Sequence, residues 1–327
     1  MSRHDRVAPV DDTVTTQGAA AVRALRPRHR ALMSLAATAA GALILTACGG
    51  ATEPAAEAPA EPTTEAASEP AAEPAPDPCA KENLPLLTAG TLTIGTDQPA
   101  YPPWFVDDDP TNGQGYESAV AYAIAEQLGF TPDEVTWTVV PFNQVIAPGP
   151  KQFDFDINQV SITDERRQAV DFSSGYYDVK QALITTKGSP IDGAASLADL
   201  ADAKLGAQIG TTSYDVITEV IKPSKDVAAF DNNDIAKQAL ANGQIDGLIV
   251  DLPTAFYITA VELEDGVIVG QFETTSEGEQ FGLVLNLGSP LTTCVTAAVD
   301  ALRADGTLAA IEQEWLADVV SAPVLRQ

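Results

Sequence analysis

Along residues 79–327 the apolar positions switch repeatedly between a period of two and a period near 3.6. Thr91-Leu92-Thr93-Ile94 alternates polar and apolar, which predicts a half-buried strand. From Glu117 to Leu128 the spacing of Val120, Ile124 and Leu128 predicts a helix, and Gly129 stops it. Strands follow at about 135–140, 155–160 and 182–186, then a helix near 197–202. A strand at 205–209, a helix at 212–221, a helix at 233–241, a strand at 247–250 and a helix from Asp251 continue the alternation. The chain closes with a strand at 281–285 and helices near 290–303 and 307–318. Such alternation predicts an α/β fold with ligand sites at the carboxyl ends of strands. No internal repeat is evident in the sequence.

The first 78 residues follow neither period. Arg23, Arg26, Arg28 and Arg30 precede an uncharged run from Ala31 to Ala47, the pattern of a secretory signal. The run is short and alanine-rich for a membrane span, and no adjacent arginine pair precedes it. It ends Leu45-Thr46-Ala47-Cys48, followed by Gly49, which resembles the lipobox of bacterial lipoproteins. That resemblance implies a signal peptide over 1–47 and a lipid on Cys48, anchoring the mature chain to the outer face of the cytoplasmic membrane. Residues 49–78 carry seven acids, seven prolines and no Val, Ile, Leu or aromatic residue. Nothing there buries enough apolar surface to offset the entropy of ordering, so 48–78 is expected to be a disordered tether.

Composition then removes whole classes of chemistry. Both histidines, His4 and His29, precede Cys48, so the remainder has no Ser-His-Asp or Cys-His group and no His-ligated zinc. Residues 79–327 carry 36 acids against 12 bases, which argues against nucleic acid as a partner. No Walker motif and no G-x-G-x-x-G is present, and no cofactor is expected. Asp107-Asp108-Asp109 with Gly113 resembles a calcium loop only loosely, because Thr111 and Asn112 break the ligand positions. It reads as a solvated loop, and no metal is expected. In an exported protein Cys79 and Cys294 are expected to pair, stabilising the head by roughly 5 kcal/mol, the alternative being two buried thiols.

Four stretches are suited to holding a small zwitterion. They are Asp97-Gln98-Pro99-Ala100-Tyr101-Pro102-Pro103-Trp104, then Ser161-Ile162-Thr163-Asp164-Glu165-Arg166-Arg167, Gly210-Thr211-Thr212-Ser213, and Ile249-Val250-Asp251-Leu252-Pro253. Together with Gly115-Tyr116-Glu117, Val170-Asp171-Phe172-Ser173 and Ala301–Trp315, they resemble the family-3 solute-binding proteins of bacterial ABC importers, the polar amino acid receptors. The resemblance runs from about Thr91 to Leu316. It implies that Arg166, and not Arg167, grips a ligand carboxylate with two charge-assisted hydrogen bonds. The Ser161 hydroxyl and the first amides after Thr211-Thr212 are expected to complete the anion pocket. Asp251 would receive the ammonium, and Tyr101 and Phe142 would flank the aliphatic part. Asp97 either touches the ligand side chain or orders its own loop. Alternative roles stay open for others: Arg166 as a surface ion pair, Tyr101 as core, Thr211, Thr212 and Asp251 as helix caps. Two departures from the family bear on specificity. Asn158-Gln159 stands where small residues are usual, and Ile146-Ala147-Pro148-Gly149-Pro150 replaces a helical stretch.

The expected architecture is a two-lobe periplasmic-binding-protein-like fold of type II, with a ligand cleft between lobes joined by two crossing strands. One lobe would comprise 79–184 plus 282–327 and the other 185–281, with the crossings near 183–186 and 281–284. Ligand binding would close the lobes, and the closed monomer would dock on an ABC permease. The ligand would be a neutral polar or cationic amino acid, since a second ligand carboxylate would need a second cation. Two rivals are an enzyme on this fold, a dehydratase acting on a cyclic acid with Asp97, Asp251 or Glu165 as its acid or base, and a ligand sensor.

Overall fold

The structure, a computed structural model, describes residues 77–273, 278–317, 319 and 321–326. The predicted signal peptide, Cys48 and nearly all of the tether lie outside the described residues. Among the described residues, ten strands form two sheets. They are β1 (Leu92–Thr96), β2 (Val135–Val139), β3 (Phe155–Asp156), β4 (Val170–Val179) and β5 (Gln181–Thr186), then β6 (Leu205–Gln208), β7 (Ala228–Phe230), β8 (Gly247–Asp251), β9 (Gly266–Gln271) and β10 (Glu279–Asn286). The first sheet runs β2-β1-β3-β10-β4 and the second β7-β6-β8-β5-β9. In each, three parallel strands are followed by an antiparallel strand that arrives from a crossing connection. Between β4 and β5 only Lys180 separates the two sheets.

Helices α1 (Tyr116–Gln127), α6 (Thr292–Ala304) and α7 (Thr307–Trp315) pack with the first sheet; α4 (Asn233–Ala241) and α5 (Leu252–Tyr257) pack with the second. Two short helices, α2 (Phe142–Val145) and α3 (Thr212–Asp215), stand at strand ends; α3 continues as π-helical turns to Ile221. Cys79 and Cys294 are joined by a disulfide, tying the start of the described chain to α6.

The cores explain which elements the pattern revealed. On β5 and β8, Leu183 and Ile249 face one apolar cluster while Ile184 and Leu248 face another. A strand buried on both faces reads as an unbroken apolar run. β4 was readable only as a motif, because Gly175 and Ser173-Ser174 interrupt its alternation. β9 and β7 were not predicted at all. The predicted strand at 155–160 ends at Asp156, because Gln159 turns to φ 48° and its backbone N–H donates to Glu117 Oε1 at 2.7 Å.

The lobe boundaries depart from expectation: β5 lies in the second sheet from Gln181 and β10 in the first from Glu279, so both crossings come a few residues earlier than 183–186 and 281–284. The residues after α7 do not stay with the first sheet: Val324 bridges Gln271, Arg326 bridges Ser196, and Leu325 is buried with Leu183 and Phe272 of the second lobe. Gly270 makes room for them, since a Cβ there would lie 2.6 Å from the Pro323 carbonyl oxygen.

Candidate functional site

The carboxyl ends of β1, β3, β6 and β8 converge on one cavity of about 600 Å³, including its open mouth. The first lobe lines it with Asp97, Tyr101, Phe142, Asn158, Gln159, Ser161 and Arg166, and the second with Thr211, Thr212 and Asp251. All ten side chains singled out from the sequence therefore share one wall system, together with Gln208, Ser213 and Asn233, which were not singled out.

Arg166 sits in a single 3-10 turn after Ser161 and is buried, whereas Arg167 points outward. Its Nη1 donates to the Ser161 carbonyl at 2.6 Å and its Nη2 to the Gly210 carbonyl at 2.9 Å, so one guanidinium touches both lobes. The Phe142 ring lies 5.5 Å from its Cζ, a cation–π contact. Burial pushes against the positive charge, and Asp215, Glu279, Asp251 and Glu165 act in the opposite direction. Gly210 is required here: its φ is 78°, and a Cβ would come within 2.6 Å of Asn143 Oδ1. Arg166 is thus not a surface ion pair, and the outer Arg167 stacks instead on Phe172 at 5.7 Å.

Asp251 ends β8 immediately before α5, yet its side chain makes no capping hydrogen bond. Its Oδ1 accepts from Gln181 Nε2 at 2.7 Å. Burial, followed by the charge of Glu279, raises its pKa to about 8. Thr211 does cap its helix, accepting from the Tyr214 amide at 3.2 Å. The Ser161 hydroxyl departs from its expected role, because its proton goes to Glu279 Oε1 at 2.5 Å rather than toward an anion pocket. Thr212 Oγ1 donates to the same oxygen at 2.7 Å.

A second set of acids lies beneath the first-lobe wall. Asp97 accepts from the Phe142 amide at 3.0 Å and the Gln98 amide at 2.7 Å, so it orders the loop and starts α2 while lining the cavity. Burial raises its pKa. Glu117 is fully buried, holds the backbone and side-chain amides of Gln159 and accepts from Tyr176, and burial lifts its pKa to about 7. Asp156 is fully buried with no hydrogen-bond partner on either oxygen among the described residues, and burial, then Glu117 and Asp97, drive its pKa far upward. Asn158 lines the cavity, and its Nδ2 is also buried without a partner among the described residues. A buried polar atom that remains unpaired is costly, so Asn158 Nδ2 marks a place where a ligand atom or water completes the wall.

In the Asp107–Asp109 loop, Asp108 accepts from the Ala100 amide at 2.6 Å and Asp109 from the Thr111 amide at 2.9 Å, both serving the turn. Among the described residues no three His, Cys, Asp or Glu side chains group as metal ligands, and no helix is long and apolar enough to cross a membrane. Sequence reasoning missed Gln181, Glu279 and the role of Glu117. The Gly-Tyr-Glu motif before α1 did flag Glu117; nothing local flags the other two.

The model of the bacterial extracellular solute-binding proteins, family 3, matches residues 92–318. The L-cystine-binding protein TcyJ of Escherichia coli K12 is 29% identical over 234 residues, spanning 70% of this chain and 84% of that protein. Among solved structures, an ancestral arginine-binding protein bound to arginine is 32% identical, with a TM-score of 0.59, over 69% of this chain and 98% of the other. Its complex with glutamine gives the same identity and TM-score over 70% and 98%.

Proposed function

Because the chain belongs to the bacterial extracellular solute-binding proteins of family 3, we infer that its cavity captures a polar amino acid, neutral or cationic, for import. The observation that carries this is a cation and an anion on opposite lobes of one cavity, Arg166 and Asp251, neither spent on a salt bridge with another side chain among the described residues. Arg166 keeps N–H groups beyond the two given to backbone carbonyls, enough for a paired grip on a carboxylate. Asp251, free of its helix, offers an oxygen to an ammonium. Phe142 and Tyr101 cover the stem between these poles.

The far wall selects the side chain. Asn158, Gln159, Gln208 and Asn233 supply amides and Asp97 an acid, while Arg166 is the one cation among the lining residues. A ligand with a second net negative charge would meet no partner, and an aliphatic one would leave buried amides unpaired. Arginine and glutamine, both bound by one related ancestral protein, satisfy that wall.

The lobes, about 79–180 with 279–317 and about 181–273 with 321–326, close around the ligand and open to release it, and the closed monomer delivers it to an ABC permease. Cys48 carries the lipid and 48–78 the tether, which hold the receptor at the outer face of the cytoplasmic membrane once 1–47 is removed. A thermal-shift screen of the twenty amino acids and cystine, followed by calorimetry, tests the ligand. Affinity near micromolar, about −8 kcal/mol, is expected for arginine or glutamine. Glutamate or leucine binding at least tenfold tighter than these would sink the proposal. The ligand recovered unchanged separates a receptor from an enzyme, and loss of membrane association in Cys48→Ala tests the anchor.

A further inference from the structure

Glu279 opens β10, the strand that crosses back into the first sheet, and it lies behind the cavity wall rather than on it. Its Oε1 accepts from Ser161 Oγ of the first lobe at 2.5 Å and from Thr212 Oγ1 of the second at 2.7 Å. Gln181 Nε2 stands 3.2 Å from the same oxygen and 2.7 Å from Asp251 Oδ1, so its two N–H groups bridge the two carboxylates. The Gln181 carbonyl is held in turn by Ser213 Oγ at 2.5 Å, and Gln181 is fully buried. A hydroxyl has one proton. With those of Ser161 and Thr212 both given to Glu279, the two oxygens are left with lone pairs only, and Thr212 Oγ1 also lies 3.4 Å from Gln181 Nε2.

We propose that Glu279 is a positioning residue for binding, which clamps Ser161 to Thr212 across the cleft and turns both hydroxyls into acceptors toward the cavity. This deepens the amino-acid reading above and rests on it. Ser161 Oγ, Thr212 Oγ1 and the second oxygen of Asp251 then form three acceptors for the three N–H groups of an ammonium. The carboxylate pole is left to Arg166. The clamp needs donors from both lobes on one oxygen, so it forms only as the cleft closes. Ligand polarity and lobe closure therefore depend on one carboxylate.

The test compares wild type with Glu279→Gln and Glu279→Ala, using L-arginine, L-argininamide, which lacks the carboxylate, and 5-guanidinopentanoate, which lacks the ammonium. If only L-glutamine binds, its α-amide and deaminated forms replace them. Both variants are expected to weaken the amino acid and its amide by about tenfold, and the deaminated probe by less than about twofold. The melting temperature of the ligand-free protein serves as the control for folding. Equal losses on all three probes, or the greatest loss on the deaminated one, would overturn the proposal. A second arm needs no ligand. Asp251 is faced by Glu279, Glu117, Arg166 and Gln181, and Glu279 is the largest charge raising its pKa. Carbon-13 titration of labelled aspartate should show the Asp251 midpoint falling in Glu279→Gln, and an unchanged midpoint overturns the proposal. If wild type binds no amino acid at all, the function proposed above fails separately and this second arm still decides.

Discussion

The two lobes share one strand order but differ in what they bury. The first packs Trp104 edge to face with Tyr116, Tyr177 and Phe281, sets Tyr176 tilted against Tyr116 and Phe281, carries the disulfide, and buries Glu117, Asp156 and Arg166. The second is filled by aliphatic side chains such as Leu183, Ile184, Leu205, Leu248 and Ile249 and, in its described residues, has no disulfide. A buried charge needs fixed surroundings, because its stabilising contacts are lost over fractions of an ångström. The braced lobe holds the site's buried arginine. Its partner contributes small hydroxyl residues and one acid at strand ends, groups that a lightly braced lobe can position. Topology is thus shared and function divided by the loops at the strand ends.

The comparison breaks most visibly if bracing is not confined to the first lobe. Replacing Cys79 and Cys294 by serine should lower stability by about 2–5 kcal/mol in urea unfolding. Amide exchange should quicken in β1–β3 and α6 more than in β5–β8; a uniform change would contradict the asymmetry. Next, Arg166→Lys should cost about 2–5 kcal/mol in ligand binding by calorimetry, and Arg167→Lys almost nothing. Equal losses would mean that burial in the first lobe does not distinguish the two.

Buried acids give a pH signature. Asp251 titrates near 8 and Glu117 near 7, both raised above their values in an unfolded chain. Folded groups raised in this way contribute stability that is complete below the unfolded pKa and lost as pH rises through the folded one. The ligand-free protein should therefore melt at higher temperature near pH 5 than near pH 8. An ammonium arriving at Asp251 favours the carboxylate, so binding at pH 7 should release protons and tighten as pH rises toward 8. Calorimetry in buffers of different ionisation enthalpy reads that release directly. The smallest effect concerns the contact between lobes. Trp104 Nε1 donates to Thr254 Oγ1 of α5 at 2.9 Å, a buried bond spanning the cleft. Trp104→Phe should weaken ligand binding by about 1 kcal/mol while leaving the second lobe's exchange pattern unchanged.

The sequence by itself determined the alternating α/β layers, the disulfide partners, and the ten residues that line one cavity. These were legible because periodicity and motif spacing are local: Ser161 and Arg166 are five residues apart, and Thr211 with Thr212 opens a helix. Tertiary structure alone decided which polar atoms spend their hydrogen bonds on one another. Glu279 meets Ser161 across 118 residues, and Gln181 meets Asp251 across 70. No local spacing encodes either pair. The shared strand order of the two lobes was equally hidden, since different side chains fill the two cores and no repeat survives in the sequence. Leu325 joined the second lobe for the same reason: an isolated apolar residue near the terminus has no period, and only the groove beside Gly270 gives it a place. Backbone hydrogen bonding and apolar periodicity are written along the chain, whereas the satisfaction of buried polar groups is settled only when distant segments meet.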